Sequence, residues 1–172
     1  AKTCNTHPHS TTQLLNALTG IGYLQFSDNK YSITSKYQKW LFKDSEANLI
    51  GKLRFQIMEW NFLNHLEDFV RTGKTLDLHS TIDEKTWEFY QEGMRDLSIN
   101  ASKELAGKIP VPNGATTLLD IGGSHGLYSI ELCKMHPNLS SIVLELPGAV
   151  EAASNIAKRY DQSGKVVHKA GN

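Results

Sequence analysis

The chain has 172 residues, of which 40% are hydrophobic and 21% are charged, which is the composition of an ordinary globular protein with one large or two small domains. The 18 basic and 18 acidic residues cancel, so neither nucleic acid nor a membrane surface is expected as a partner. No apolar run approaches the roughly 20 residues that span a bilayer. Cys4 and Cys133 lie far apart and in no metal-type spacing, which indicates free thiols, a cytoplasmic location and no metal site.

The first 44 residues predict a helix followed by a small hairpin. Leucines recur on one face of the helix, over residues 9–19, and apolar residues in 21–26 and 31–34 predict two strands joined by a turn. This order is typical of a winged helix. Because the helix contains no Lys or Arg, a packing or dimerisation module is favoured over DNA binding, and a ligand-sensing DNA-binding regulator stays open as an alternative.

Two longer helical segments follow, over residues 45–73 and 83–109. The first carries aromatic and aliphatic residues at three- and four-residue steps and ends at Gly73, and the second has Asp83 as its predicted N-cap. The linker 110–114 contains two prolines and a glycine. We therefore predict a mainly helical winged-helix domain over 1–110 and a second domain over 111–172.

From residue 115 onward the pattern alternates between strand and helix. Strands are predicted at 116–120, 141–145 and 165–169, and helices from about 126 to 135 and after Pro147. This alternation predicts an α/β fold with a parallel sheet and right-handed crossovers. Three strands are few for a doubly wound sheet, so we expect the N-terminal half of a Rossmann-like domain.

The first strand of this sheet ends at Asp120 and is followed by a glycine-rich turn. Gly122, Gly123 and Gly126 leave the backbone open to a ligand, at the sheet edge where ligands bind in such folds. A dinucleotide fingerprint would need a glycine at position 121, which is Ile. An acidic flank also favours a cationic ligand without phosphates, such as S-adenosylmethionine.

Glu145 ends the second predicted strand, about twenty residues after the turn, where its carboxylate can accept both hydroxyls of a ribose. Enzymes that bind NAD place an acidic residue similarly, so an NAD(P)-dependent oxidoreductase stays open as an alternative. The plainest alternative is a glycine turn that only makes a tight corner.

These residues resemble a known family. Residues 118–126, Glu145-Leu146-Pro147 and 170–172 together resemble the class I S-adenosylmethionine-dependent small-molecule O-methyltransferases, in particular plant caffeate and isoflavone enzymes, hydroxyindole methyltransferase and bacterial polyketide O-methyltransferases. Residues 14–18 resemble that family's N-terminal dimerisation domain, and residues 89–98 resemble its linker helix.

The resemblance implies a cofactor site and an acceptor pocket. The implied cofactor residues are Gly122, Gly123, Gly126, Asp120, Glu145, Leu146, Ser98 and Asn172. Glu145 would hold the ribose and Leu146 would flank the adenine, while Asn172 stands where the family usually has an Asp that contacts adenine. Met94 and Leu97 would face the acceptor.

The implied reaction is transfer of a methyl group from S-adenosylmethionine to a hydroxyl of a small, aromatic molecule, by a homodimer that forms through the N-terminal domain. In this family the base is a His on a later strand–helix segment. His125, His136 and His168 do not match that position, so we expect no catalytic residue here. The chain begins without Met and ends directly after a predicted strand. We therefore expect it to be truncated at both ends and inactive alone.

Overall fold

The computed structural model describes residues 1–77, 79–80 and 82–172. These residues form two compact units, Ala1–Asn48 and Leu49–Asn172. Within the described residues, no helix combines the length and the apolar character needed to cross a membrane.

The first unit contains the predicted helix and hairpin. Its elements are a short 3-10 helix Lys2–Cys4, α1 Pro8–Gly20, β1 Leu24–Ser27, β2 Lys30–Ile33 and α2 Ser35–Leu41. Asp28 and Asn29 make the hairpin turn in the left-handed conformation that short polar residues tolerate. The Tyr31 hydroxyl donates to Asn16 Oδ1 at 2.6 Å and ties the hairpin to α1.

Three helices begin the second unit: α3 Ile50–Leu63, α4 Leu66–Thr72 and α5 Glu84–Ala106. The single helix predicted over 45–73 is wrong, because the chain turns at Asn64 and His65. Their N–H groups donate to carbonyls three residues earlier, which tightens the last turn of α3 and ends it. The predicted stop at Gly73 is confirmed, with φ 68°, as is the Asp83 cap, whose carboxylate accepts the Thr86 N–H at 2.8 Å.

Helices α3 and α5 approach each other closely through two glycines. A Cβ atom on Gly93 would lie 2.9 Å from Phe55 Cβ, and one on Gly51 would lie 2.8 Å from the Glu92 carbonyl oxygen. The buried Asp96 of α5 accepts the Lys52 N–H at 2.9 Å and so satisfies a donor in the first turn of α3. Burial raises the pKa of Asp96, although the Lys52 N–H and Arg95 oppose this change.

The remaining elements form the predicted parallel α/β arrangement. They are β3 Thr117–Ile121, α6 Leu127–Met135, β4 Ser140–Glu145, α7 Val150–Ala157 and β5 Val166–Ala170. The strands are parallel and lie in the order β3-β4-β5. Asp120 pairs with Val143 and Glu145 pairs with Ala170, so the carboxyl ends of the strands meet at one edge.

One face of the sheet packs against α5, α6 and α7. Leu118 and Val166 contact a core of Ala106, Leu132, Cys133 and Leu139. Side chains on the opposite face are exposed, namely Leu119, Ile121 and Val167.

Because α5 contacts α3 as well as α6 and α7, the domain boundary predicted at 110/111 lies inside the second compact unit. The division into 1–110 and 111–172 stays a prediction.

We expect Gly93→Ala to lower the free energy of unfolding by about 1–3 kcal/mol relative to Gly107→Ala, measured by urea denaturation. Alanine fits the helical backbone conformation of both positions, since the C-cap Gly107 has φ −74°, but a Cβ at Gly107 has no neighbour nearer than 3.9 Å, whereas at Gly93 it overlaps Phe55. Equal stabilities of the two variants would contradict the close contact between α3 and α5.

Candidate functional site

The glycine turn, residues 122–126, joins β3 to α6 at the carboxyl edge of the sheet. Gly122 has φ 67°, and a Cβ there would meet nothing within 4 Å, so its backbone is open to a ligand. Its N–H donates to the Leu144 carbonyl at 2.8 Å, which anchors the turn to β4. Gly126 has φ 71° and faces inward, since a Cβ there would lie 3.1 Å from Val143 Cγ2.

Asp120 lies beneath the turn. A Cβ on Gly123 would lie 2.5 Å from Asp120 Cγ, so the carboxylate fills the space that a side chain would need. Asp120 Oδ2 accepts the Ser129 hydroxyl at 2.7 Å, and the Ser141 hydroxyl donates to Ser129 Oγ at 2.9 Å. Asp120 therefore joins the turn to α6 and β4.

Glu145 is the second carboxylate of the site and is only 8% exposed. Its Oε2 accepts the Ser124 N–H at 2.8 Å, and its Oε1 accepts the N–H of the half-buried Leu146 at 2.7 Å. An ionised carboxylate has about four acceptor positions, so two remain for a ligand. The Gly171 N–H donates to the Glu145 carbonyl at 2.9 Å, which puts Asn172 beside this strand end.

Helix α5 lies against the turn. Of its predicted site residues, Met94 and Ser98 are half-buried, while Leu97 is 52% exposed. Sequence reasoning missed Gln91, whose Oε1 accepts the Ser124 hydroxyl, and Tyr90, whose pKa is raised by burial and by the charge of Glu145. The helical period could have found Gln91, which shares a face with Met94 and Ser98.

Two histidines bind backbone groups at the turn. His125 is 1% exposed and its Nδ1 accepts the Leu127 N–H at 3.2 Å, at the start of α6. Burial lowers the pKa of His125 to about 4, with the Met94 carbonyl opposing and Arg95 adding to the shift. The imidazole is therefore neutral at pH 7. His168 Nε2 lies 2.9 Å from the Ser124 carbonyl oxygen, and burial also lowers its pKa.

The charges of the site favour a cationic ligand without phosphates. Asp120 and Glu145 bring two carboxylates to the turn, while the buried Arg95 pairs with Asp96 at 2.9 Å and with Glu92 at 3.2 Å. Residues 1–77, 79–80 and 82–172 contain no group of three His, Cys, Asp or Glu side chains that could hold a metal ion.

We expect stability to fall between pH 6.5 and pH 4 because of His125. Its pKa is lower in the folded chain, so the unfolded chain takes up the proton first and this contribution is lost as the pH drops. The full loss is about 3 kcal/mol for this group.

In His125→Asn, the amide oxygen can still accept the Leu127 N–H but does not titrate. Urea denaturation across this pH range should therefore show a weaker pH dependence than in the exposed control His9→Asn. Equal slopes for the two variants would contradict the buried, neutral state of His125.

Comparison with known proteins gives a consistent picture. Residues 63–172 match the family model described as an O-methyltransferase domain. A relative from Streptomyces sahachiroi, named 3-hydroxy-5-methyl-1-naphthoate 3-O-methyltransferase, is 30% identical over 163 residues, which are 89% of this chain and 46% of that protein. The chain thus spans a little under half the length of this relative.

Solved structures share the fold of the chain. An O-methyltransferase family protein from Burkholderia thailandensis superposes with a TM-score of 0.82 at 22% identity, over 100% of this chain and 53% of the other. Human N-acetylserotonin methyltransferase, solved with S-adenosylmethionine, superposes with a TM-score of 0.81 at 16% identity, over 97% and 52% of the two chains.

These findings agree with the resemblance seen in the sequence and lend no support to the oxidoreductase or the DNA-binding regulator. The family model covers more than half of the chain. The chain therefore belongs to the O-methyltransferase family.

Proposed function

We propose that the glycine turn and Glu145 bind S-adenosylmethionine, and that the chain forms the cofactor-binding part of an enzyme that methylates a hydroxyl group of a small aromatic molecule. The observation that carries this proposal is the Glu145 carboxylate. It is held 2.8 Å from the Ser124 N–H, at the sheet edge beside the open backbone of Gly122, with acceptor positions left for a ribose.

The site suits the chemistry of this cofactor, which has a sulfonium and an ammonium group but no phosphate. Two carboxylates supply negative charge near the turn, and Gly122 leaves room for close approach. When bound, the cofactor would supply an activated methyl group. The residues proposed to hold it are Gly122, Gly123 and Gly126 with Asp120 below them, Glu145 at the ribose, Leu146 and Asn172 at the adenine, and Ser98 on α5.

The residues of this chain would contribute binding and orientation. Holding donor and acceptor in line is worth several kcal/mol, roughly 7–11 in the best-aligned systems. Met94 and Leu97 are proposed to face the acceptor. We assign no general base in this chain, since His125 accepts a backbone N–H and His168 lies at a backbone carbonyl. The name of the Streptomyces relative, a naphthoate 3-O-methyltransferase, supports an aromatic hydroxyl as acceptor.

We further propose that residues 1–110 are a winged-helix dimerisation domain. The helix–hairpin–helix order of the first unit supports the winged helix. Large apolar side chains on α3 and α4 support a second copy as the partner, because Ile57 is 69%, Trp60 67% and Val70 74% exposed.

Residues 111–172 would be the N-terminal half of a doubly wound Rossmann-like domain. The two free thiols, Cys4 and Cys133, support a cytoplasmic location.

Titration calorimetry with S-adenosylhomocysteine and with NAD tests the cofactor. We expect the chain to bind S-adenosylhomocysteine and not NAD. Glu145→Gln should weaken binding roughly 10- to 100-fold, because it removes the charge that accepts the ribose hydroxyls. The matched control is Glu151→Gln on the exposed surface of α7, which should bind as the wild type does.

Two outcomes would contradict the assignment. Preferential binding of NAD would favour a nicotinamide enzyme. Equal affinities of Glu145→Gln and Glu151→Gln for S-adenosylhomocysteine would remove Glu145 from the site.

Sedimentation velocity tests the dimer. We expect the wild-type chain to sediment as a dimer and Ile57→Glu as a monomer, because the new charge would be buried in the interface without a partner. Leu105→Glu introduces the same charge at a 42% exposed position of α5 and should remain dimeric. A monomeric wild type, or a dimeric Ile57→Glu, would argue against this surface.

A further inference from the structure

Ser124 is tied to three separate elements of the second unit. Its N–H donates to Glu145 Oε2 at 2.8 Å, at the end of β4. Its carbonyl oxygen lies 2.9 Å from His168 Nε2 on β5. Its hydroxyl donates to Gln91 Oε1 on α5. Each polar group of this one residue is therefore held by a different element.

The backbone of Ser124 is in a conformation that few side chains adopt. Its φ is 53°, in the left-handed region, although it is not a glycine. Such a conformation persists when the surrounding contacts hold it in place. A glycine would lack the CH2OH group of Ser124, and the polar contact that this side chain adds is its hydroxyl bond to Gln91.

Gln91 is well suited to hold this hydroxyl. It is 1% exposed and its Nε2 has no hydrogen-bond partner among the described residues, so the Ser124 hydroxyl is the group that satisfies this buried amide. Trp87, one turn earlier on α5, is 4% exposed, and Arg95, one turn later, is 8% exposed. The turns of α5 before and after Gln91 are therefore both buried, which fixes the position of this side chain.

We propose that Gln91 is a positioning residue of the cofactor site. Through the Ser124 hydroxyl it fixes the left-handed turn, and the turn then aims the Ser124 N–H at Glu145, whose carboxylate is held ready for the ribose. The part of this inference that concerns the ligand rests on the function proposed above. Because Gln91 and Met94 lie one turn apart on α5, the helix that is proposed to face the methyl acceptor also sets the geometry of the site for the methyl donor.

The first measurement needs no ligand. In NMR spectra of the chain, the Ser124 N–H should resonate downfield and exchange slowly, since it donates to a carboxylate. Gln91→Leu removes the acceptor of the hydroxyl and should speed exchange of this N–H at least tenfold. Asn100→Leu removes an exposed amide from the same helix and should stay within threefold of the wild type. The Val143 N–H in the middle of β4 serves as the internal reference for global opening.

A second variant removes the hydroxyl itself. Ser124→Gly accepts the left-handed backbone and lies outside the core, so it keeps the fold while losing the bond to Gln91. It should speed exchange of the N–H at position 124 as Gln91→Leu does. The double variant should be no faster than either single variant, because both remove the same interaction.

The ligand measurement is titration with S-adenosylhomocysteine. Gln91→Leu and Ser124→Gly should each weaken binding about tenfold, and Asn100→Leu should bind within threefold of the wild type. If the wild type does not bind, the proposed function fails while the exchange data still decide whether Gln91 positions Ser124. Unchanged exchange at position 124 in Gln91→Leu would overturn the inference, as would equal affinities of Gln91→Leu and Asn100→Leu for S-adenosylhomocysteine.

Discussion

The arrangement of the second unit depends on the burial of α5 between two sets of neighbours. Two glycines let α3 approach on one side, and the apolar faces of α6 and α7 pack on the other. A helix held in this way can present polar side chains at a fixed distance from the sheet edge. The geometry of the site therefore depends on helix packing as well as on the strands that end at it.

Electrostatics at the turn follows from burial. The two carboxylates accept hydrogen bonds from hydroxyl and backbone N–H groups, which hold both of them in place at the turn. Burial lowers the pKa of His125, and the nearby Arg95 and His168 add to this effect, so the imidazole stays neutral. The Arg95 guanidinium is engaged by Glu92 and Asp96. The turn thus offers acceptors and negative charge, a combination that selects against phosphate groups.

Local patterns in the sequence predicted much of this structure. The three strands, the glycine turn and the position of Glu145 depend on short-range periodicity and turn chemistry, and the structure agrees with them to within a residue or two. The break at Asn64 and His65 was missed because apolar residues continue across it at helical spacing. Gln91 was missed because its partner, Ser124, lies 33 residues away, and only the packed helix brings the two together.

The contact between Asp120 and Gly123 has a consequence for how the chain can vary. A methyl group at position 123 needs the space of the carboxylate, yet losing the carboxylate would leave the Ser129 hydroxyl without its acceptor and disturb its link to Ser141. Substitutions at the strand end, in the turn, on the helix and on the second strand therefore affect one another. Any redesign of the turn for another ligand therefore has to consider Asp120, Gly123, Ser129 and Ser141 together.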